Sequence, residues 1–344
     1  MSTTSNFLID SLEQLSSVLR HKLGSSYDSN TLYLITVQGP TCSGKSTFSK
    51  FLVNLLKKFS LLAHLVHLDG FYTFIDNSKI NEDDFDFDNP ATIDWTAARQ
   101  VVYDMIDKKD TITKFRRTKE VAKEAFEIKN HHNIGIFEGI YAGNLLGEKM
   151  FNTKEFDPTD SYKIIENQFI ENPLNEYIKN YIKENNGENV DNGEKVSNGG
   201  FETFIGSPHN NKSISLSHNK RWNDIKILNI IFTSCFDRMK EIRTERDQAT
   251  RNLTVENVHL RFTKFLIPAT DNWVLNDFFK FDIGLQHGNF NTTNLKLFLL
   301  KLCDFFGGEF ENEIFKLKHD FSRVLNQCSG ECLKYKNVLC FLGD

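Results

Sequence analysis

The chain has 344 residues, 40% of them apolar and 25% charged, and a formal net charge of -5. That size supports one large α/β domain or two smaller ones, and the mild acidity argues against a nucleic-acid-binding surface over the whole chain. No apolar run reaches the 18 or so residues needed to span a bilayer, and the start (MSTTSNFLID) lacks the basic and apolar regions of a secretory leader. In chain order, the apolar spacing of Phe7, Leu8, Leu12, Leu15 and Leu19 predicts a helix over 5–23. A buried parallel strand follows over 32–38 (LYLITVQ), then a helix with Phe48, Phe51, Leu52, Leu55, Leu56 and Phe59 on one face. Strands are predicted at 61–68, 133–137, 225–232 and 281–285, and helices at 94–108, 237–246, 255–266 and 295–306. The stretch from about 185 to 220 is rich in Asn, Gly, Ser and Lys, a composition that predicts disorder. Beyond 308, Phe310, Ile314, Phe315 and Phe321 predict one more packed helix. The expected fold is α/β: a parallel sheet of the phosphate-loop NTPase type with helices on both faces, a helical lid, a disordered insertion and a C-terminal helical extension. The domain bounds expected are 1–308 for the main body and 309–344 for the extension.

Gly39 to Thr47 read GPTCSGKST and fit the phosphate-loop pattern G-x-x-x-x-G-K-[ST] between a strand and a helix. Gly39 and Gly44 let the backbone curl, so that N–H groups of Thr41, Cys42, Ser43 and the start of the helix, with Thr47, face phosphate oxygens. Lys45 supplies charge to the β- and γ-phosphates, and the Ser46 hydroxyl suits Mg²⁺. ATP with Mg²⁺ is therefore the expected cofactor, although ATPases, GTPases and small-molecule kinases all carry this loop. Asp69 ends the second strand in HLDGFY, where ligands of open parallel sheets bind; it is a candidate base for a hydroxyl nucleophile, or else a cap. Tyr72 would line the acceptor pocket. Glu138, ending the third strand in IFEGIYAG, is a candidate Mg²⁺ holder or a structural carboxylate, with Gly139 allowing a sharp exit. In DFDNPATID, Asp88 is suited to gripping a diol and Asp94 to capping the next helix. Arg243, Arg246 and Arg251 are either a lid over the transferring phosphoryl group or a solvated helix face paired with Glu241, Glu245 and Asp247. The six cysteines (Cys42, Cys235, Cys303, Cys328, Cys332 and Cys340) show no paired zinc spacing, so reduced thiols and a cytoplasmic location are expected.

The ordered blocks GPTCSGKST, LDGFY, FDNPATID, IFEGIYAG and RTERD…R, followed by Phe265-Leu-Ile-Pro268, resemble the uridine kinase/phosphoribulokinase family. The resemblance covers about residues 31–144 and 225–306. It implies phosphoryl transfer to a nucleoside 5′-hydroxyl, with Asp69 as base, Tyr72 and Asp88 on the nucleoside, Glu138 near Mg²⁺, and Arg246 and Arg251 on the phosphates. The chain departs from the family where the base is read. In the stretch 112–120, Phe115 stands for the aromatic, no His aligns, and Arg116 and Arg117 are added charges. The lid is about two residues shorter than usual. Gly70 is closer to the sugar, glycerate and pantothenate kinases of the wider family. The expected partner is a small-molecule acceptor, a nucleoside first and another hydroxylated metabolite second, without nucleic acid or membrane; a homo-oligomer is compatible with it. A nucleotide-binding protein without catalysis is a third reading, against which the intact Asp69 and Glu138 argue.

Overall fold

A computed structural model describes residues 27–73, 86–116, 124–154, 168–185, 221–275, 280–286, 292–307 and 340–341. The expected helix over 5–23, the insertion beyond Asn185, Arg117 and nearly all of the C-terminal extension lie outside the described residues.

Strand β1 (Thr31–Gln38) is buried along its whole length, and its side chains alternate between two cores. Leu32 and Leu34 face one, with Val66, Phe137 and Trp95; Tyr33, Ile35 and Val37 face the other, with Phe48, Leu52 and Phe298. This two-residue alternation is why an unbroken apolar run can sit in the middle of a sheet covered on both faces. Helix α1 (Lys45–Lys58) follows β1 and fills the second core with Phe48, Leu52, Leu55 and Leu56. Strand β2 (His64–His67) is shorter than its sequence suggests, because Leu61 still belongs to the exit of α1, where its N–H donates to the Leu56 carbonyl. Helix α2 (Trp95–Ile106) begins where expected, and the Asp94 carboxylate caps it by accepting from the Ala97 N–H at 2.9 Å.

A hairpin of β3 (Thr111–Arg116) and β4 (Glu124–Lys129) then stands apart from the main sheet. Strand β5 (Ile134–Gly139) returns to it. The short helix α3 (Gly143–Leu146), a small pair of strands β6 (Lys149–Phe151) and β7 (Phe169–Glu171), and helix α4 (Pro173–Asn185) come next, none of them anticipated. Strand β8 (Asp224–Thr233), helix α5 (Phe236–Arg251), helix α6 (Val255–Arg261), strand β9 (Ile283–Gln286), helix α7 (Thr292–Phe305) and the two-residue strand β10 (Cys340–Phe341) complete the described chain. The sheet order is β10-β9-β8-β1-β5-β2, and every pairing in it is parallel. Beyond α6 the backbone alternates π turns, Phe262–Leu266 and Thr270–Val274, around an α turn, Ile267–Ala269. The extension, expected to be helical, supplies strand β10 in its described part. Among the described residues no helix is long and apolar enough to cross a membrane, and no group of three or more His, Cys, Asp or Glu could hold a metal.

At the amino ends of the sheet strands, His64 is 4% exposed and its Nε2 has no hydrogen-bond partner. Its ring lies 4.6 Å from that of His132, which in turn meets His131. Burial, then the charges of His132, Lys114 and His131, pull its pKa from 6.5 to about 3. The folded state therefore refuses a proton that the unfolded chain accepts. Stability from this site is complete above pH 6.5 and falls as pH drops toward 3, by up to about 1.4 kcal/mol per pH unit. In His64→Phe, the melting temperature should fall less between pH 6.5 and 4 than in the wild type; equal slopes would clear His64 of that role.

The two chain ends that flank 186–220 are held together. The Asn185 side chain donates to the Trp222 carbonyl at 2.8 Å, the Tyr181 hydroxyl accepts from the Trp222 N–H at 2.7 Å, and Arg221 meets Glu184 at 3.1 Å. Because the ends meet, replacing 187–219 with a short Gly/Ser linker should leave the melting temperature within a few degrees of wild type. Loss of the folded protein would show that the segment supports the domain.

Candidate active site

The phosphate loop leaves β1 beside strand β8. A Cβ on Gly39 (φ +157°) would lie 2.5 Å from the Phe232 carbonyl oxygen and 2.9 Å from Ser43 Oγ, so only glycine lets the loop pass. Gly44 (φ +96°) starts α1 from a left-handed conformation. Cys42 is also left-handed (φ +62°). Its side chain packs beside Met239, Phe262 and Leu266, a small core that joins the loop to α5 and the π turn. Before the loop, Gln38 is fully buried; its amide donates to the Val274 carbonyl and its Oε1 accepts from the Gly143 N–H, both at 2.8 Å.

Three strand ends converge in front of the loop. Glu138 is 2% exposed. Its Oε1 accepts from Ser46 Oγ at 2.9 Å and lies 3.8 Å from Lys45 Nζ, while its Oε2 meets His67 Nδ1 at 2.6 Å. Burial opposes ionisation of Glu138, but the His67 hydrogen bond and the Lys45 charge outweigh it and hold the carboxyl below its usual value. Ser46 Oγ and Glu138 Oε1 stand 2.9 Å apart, the edge of an octahedron whose oxygens lie about 2.1 Å from Mg²⁺. The pair therefore fits a nucleotide-bound Mg²⁺. Gly139 ends β5, and its carbonyl accepts from the Ala142 N–H at 3.3 Å in the turn that follows, so the chain does leave the sheet here; its missing side chain also makes room for Leu68, whose Cβ a Cβ here would meet at 2.7 Å.

Asp69 sits in a 3-10 turn, Leu68–Phe71, at the end of β2 and is open to the cleft. The protein mass around that cleft raises its pKa above 3.8; Glu138 and Asp88 push the same way, against Lys45 and His67. Gly70 has a packing reason: a Cβ there would come within 2.1 Å of the Phe115 carbonyl oxygen, so glycine lets the β3–β4 hairpin close over this turn.

One cleft of about 780 Å³ is lined by Thr41, Lys45, Asp69, Tyr72, Asp88, Phe115, Arg246 and Arg251 among the residues expected at the site. Phe87, Phe265, Arg116, Arg243, Arg261, Asp247 and His67 also line it. Gly39, Cys42, Ser43, Gly44, Ser46, Thr47 and Glu138 do not line that cleft, and Arg117 lies outside the described residues. Tyr72 and Phe87 meet edge to face at 6.3 Å, and Phe115 lies edge-on to Phe71 at 4.9 Å. Arg116 turns to Glu124 across the hairpin, with two contacts of 2.8 and 3.1 Å.

Neither sequence reading of the arginines is complete. Asp247 is 1% exposed and sits among Arg246 (2.8 Å), Arg243 (3.5 Å) and Arg251 (3.6 Å). Burial raises the pKa of Asp247, but Arg246 first, then Arg251 and Arg243, outweigh it, and the net shift is downward. Arg243 also reaches Asp88 at 3.5 Å, so the expected diol carboxylate is already tied to the lid. Sequence reasoning gave His67, Asp247, Phe87 and Arg261 no role at the site. For Asp247 a signal was present: an acid with arginines at i−4, i−1 and i+4 on one helix.

No protein-family model matches the chain, and no curated protein sequence matches it. Among solved structures, similar ones include a protein assigned as a fructose transport system kinase from Silicibacter sp. TM1040 (14% identity, TM-score 0.42, covering 75% of this chain and 92% of that one). Another is the YGR205w protein (19% identity, TM-score 0.42, 81% and 93% covered). A third is D-glycerate 3-kinase from Cryptococcus neoformans var. grubii (14% identity, TM-score 0.38, 76% and 89% covered).

Proposed function

We propose that this chain is an ATP-dependent kinase that transfers the γ-phosphoryl group to a hydroxyl of a small molecule, with the 5′-hydroxyl of a nucleoside such as uridine or cytidine as the leading acceptor. The observation that carries this reading is the shared cleft: Lys45, Asp69, Arg246 and Arg251 open on one space of about 780 Å³, with the phosphate loop at one side and aromatic rings at the other. That volume is of the size used for small-molecule sites.

The chemistry is mainly positioning. Loop N–H groups and Lys45 hold the β- and γ-phosphates, and Ser46 with Glu138 would hold Mg²⁺, which supplies charge neutralisation on the phosphates. Asp69 accepts the acceptor hydroxyl's hydrogen bond and takes its proton as the new P–O bond forms and ADP leaves. Its raised pKa makes it a stronger base than an ordinary carboxylate. Arg246 and Arg251 offset charge on the transferring group, held in line by Asp247. Tyr72, Phe87, Phe115 and Phe265 suit a ring-bearing acceptor, and Asp88 suits its hydroxyls. A second reading, a kinase of glycerate, pantothenate or a sugar, is supported by Arg261 on the cleft lining, which would favour an anionic acceptor.

An ATP-consumption screen over nucleosides, hydroxy acids and sugars should find turnover stimulated by a nucleoside; if no acceptor stimulates it, the kinase reading fails. Asp69→Asn should lower kcat by roughly 10² or more with ADP affinity kept. In the wild type, the acid limb of kcat/KM should lie above pH 3.8, because the base must lose a proton that its surroundings help it keep. Wild-type turnover in Asp69→Asn would remove the residue from that role. Asp247→Asn should lower kcat about tenfold or more while ADP affinity changes little, since the arginines stay but lose their common anchor; an unchanged kcat would show that they need none.

A further inference from the structure

Residue His67 is used by neither the phosphate loop nor the proposed proton transfer, yet it makes the shortest contact at the carboxylate the metal needs. Its Nδ1 lies 2.6 Å from Glu138 Oε2. The contact is built in by the sheet: in the parallel pairing of β2 with β5, His67 stands opposite Glu138, one step beyond Val66 and Phe137. One residue further on, Gly139 closes on Leu68 and keeps the two strands tight at this point. The His67 side chain is 42% exposed, so it is not there to fill a core. Its partner carboxylate is 3% exposed and has its other oxygen on Ser46.

We infer that His67 is a positioning residue for the metal site: its Nδ1–H donates to Glu138 Oε2 and turns Oε1 toward Ser46, so that the two oxygens present a ready pair to a nucleotide-bound divalent cation. The inference rests on the kinase reading. The anchoring follows from what Glu138 has left without it. With the imidazole removed, Oε2 loses its partner in a buried site, and the carboxylate is drawn only by Ser46 and by Lys45 at 3.8 Å. A partner that orients a ligating carboxylate contributes about 10–100-fold to metal affinity in comparable sites.

Mn²⁺ replaces Mg²⁺ as a probe, and its binding is read from the loss of the free-ion electron paramagnetic resonance signal at fixed ADP. In His67→Phe, which keeps a ring and loses the donor, Mn²⁺ should bind the ADP complex about 10–100-fold more weakly than in wild type. In His67→Asn, which keeps an N–H donor, most of the affinity should return. ADP affinity measured in EDTA should be the same in all three proteins. Equal Mn²⁺ affinity in wild type and His67→Phe overturns the inference, and so does a loss in His67→Asn as large as that in His67→Phe. If His67→Phe does not fold, His67→Leu makes the same comparison. Should wild-type protein with ADP hold Mn²⁺ no more tightly than ADP alone, the metal site fails and the kinase reading with it, a result distinct from failure of His67 alone.

Discussion

The buried carboxylate of Glu138 is the contact on which the rest of the site depends. Placing an ionised group at 2% exposure is costly unless every lone pair is met. Here the partners come from two separate segments: Ser46 and Lys45 from the start of α1, His67 from β2. None of these can shift without stranding charge. The parallel register of β1, β5 and β2 is thereby converted into the position of two side chains, a lysine and a serine, in front of the phosphate loop.

A second buried carboxylate does comparable work on the other side of the cleft. Asp247 gathers Arg243, Arg246 and Arg251 on one helix, and Arg243 extends the chain of charge to Asp88 beside the aromatic rings. Asp247 and Asp88 together still leave three guanidinium groups one charge in excess. The excess positive charge faces the cleft, where a polyphosphate would complete the balance. The lid is thus tied to the body through charge at Asp88 and through apolar packing at Cys42, Met239, Phe262 and Leu266.

Much of this was legible in the chain because it rests on local pattern. The apolar run of β1, the glycines of the loop and the Asp94 cap each follow from short-range sterics or hydrogen bonding, and each stands where expected. The places of β2, β5 and β8 were readable for the same reason, though β2 starts at His64 and β5 runs on to Gly139. What was not readable depends on partners distant in sequence. His67 acquires its place only when β2 pairs with β5, and Gly70 and Gly139 are explained by Phe115 and Leu68, which no spacing rule brings to them. Strands β6 and β7 span three residues each, too few for periodicity to mark, whereas α4 carries a legible pattern, with Leu174, Ile178 and Tyr181 at helical spacing after Pro173.

The cleft therefore has two halves of different construction. The loop, Lys45, Ser46, Glu138 and His67 belong to strands paired across the sheet centre and to the helix that follows β1. Tyr72, Phe115 and Phe265 come from a turn, a hairpin outside the main sheet and a π turn. The hairpin's close approach hangs on one glycine: a side chain at position 70 would collide with the Phe115 carbonyl and move the aromatic wall. Changes there can reshape what the cleft admits while leaving Ser46, Glu138 and Lys45 in register. If the chain is the proposed kinase, such a construction would hold its phosphate chemistry constant and leave the choice of acceptor to the hairpin and to α5.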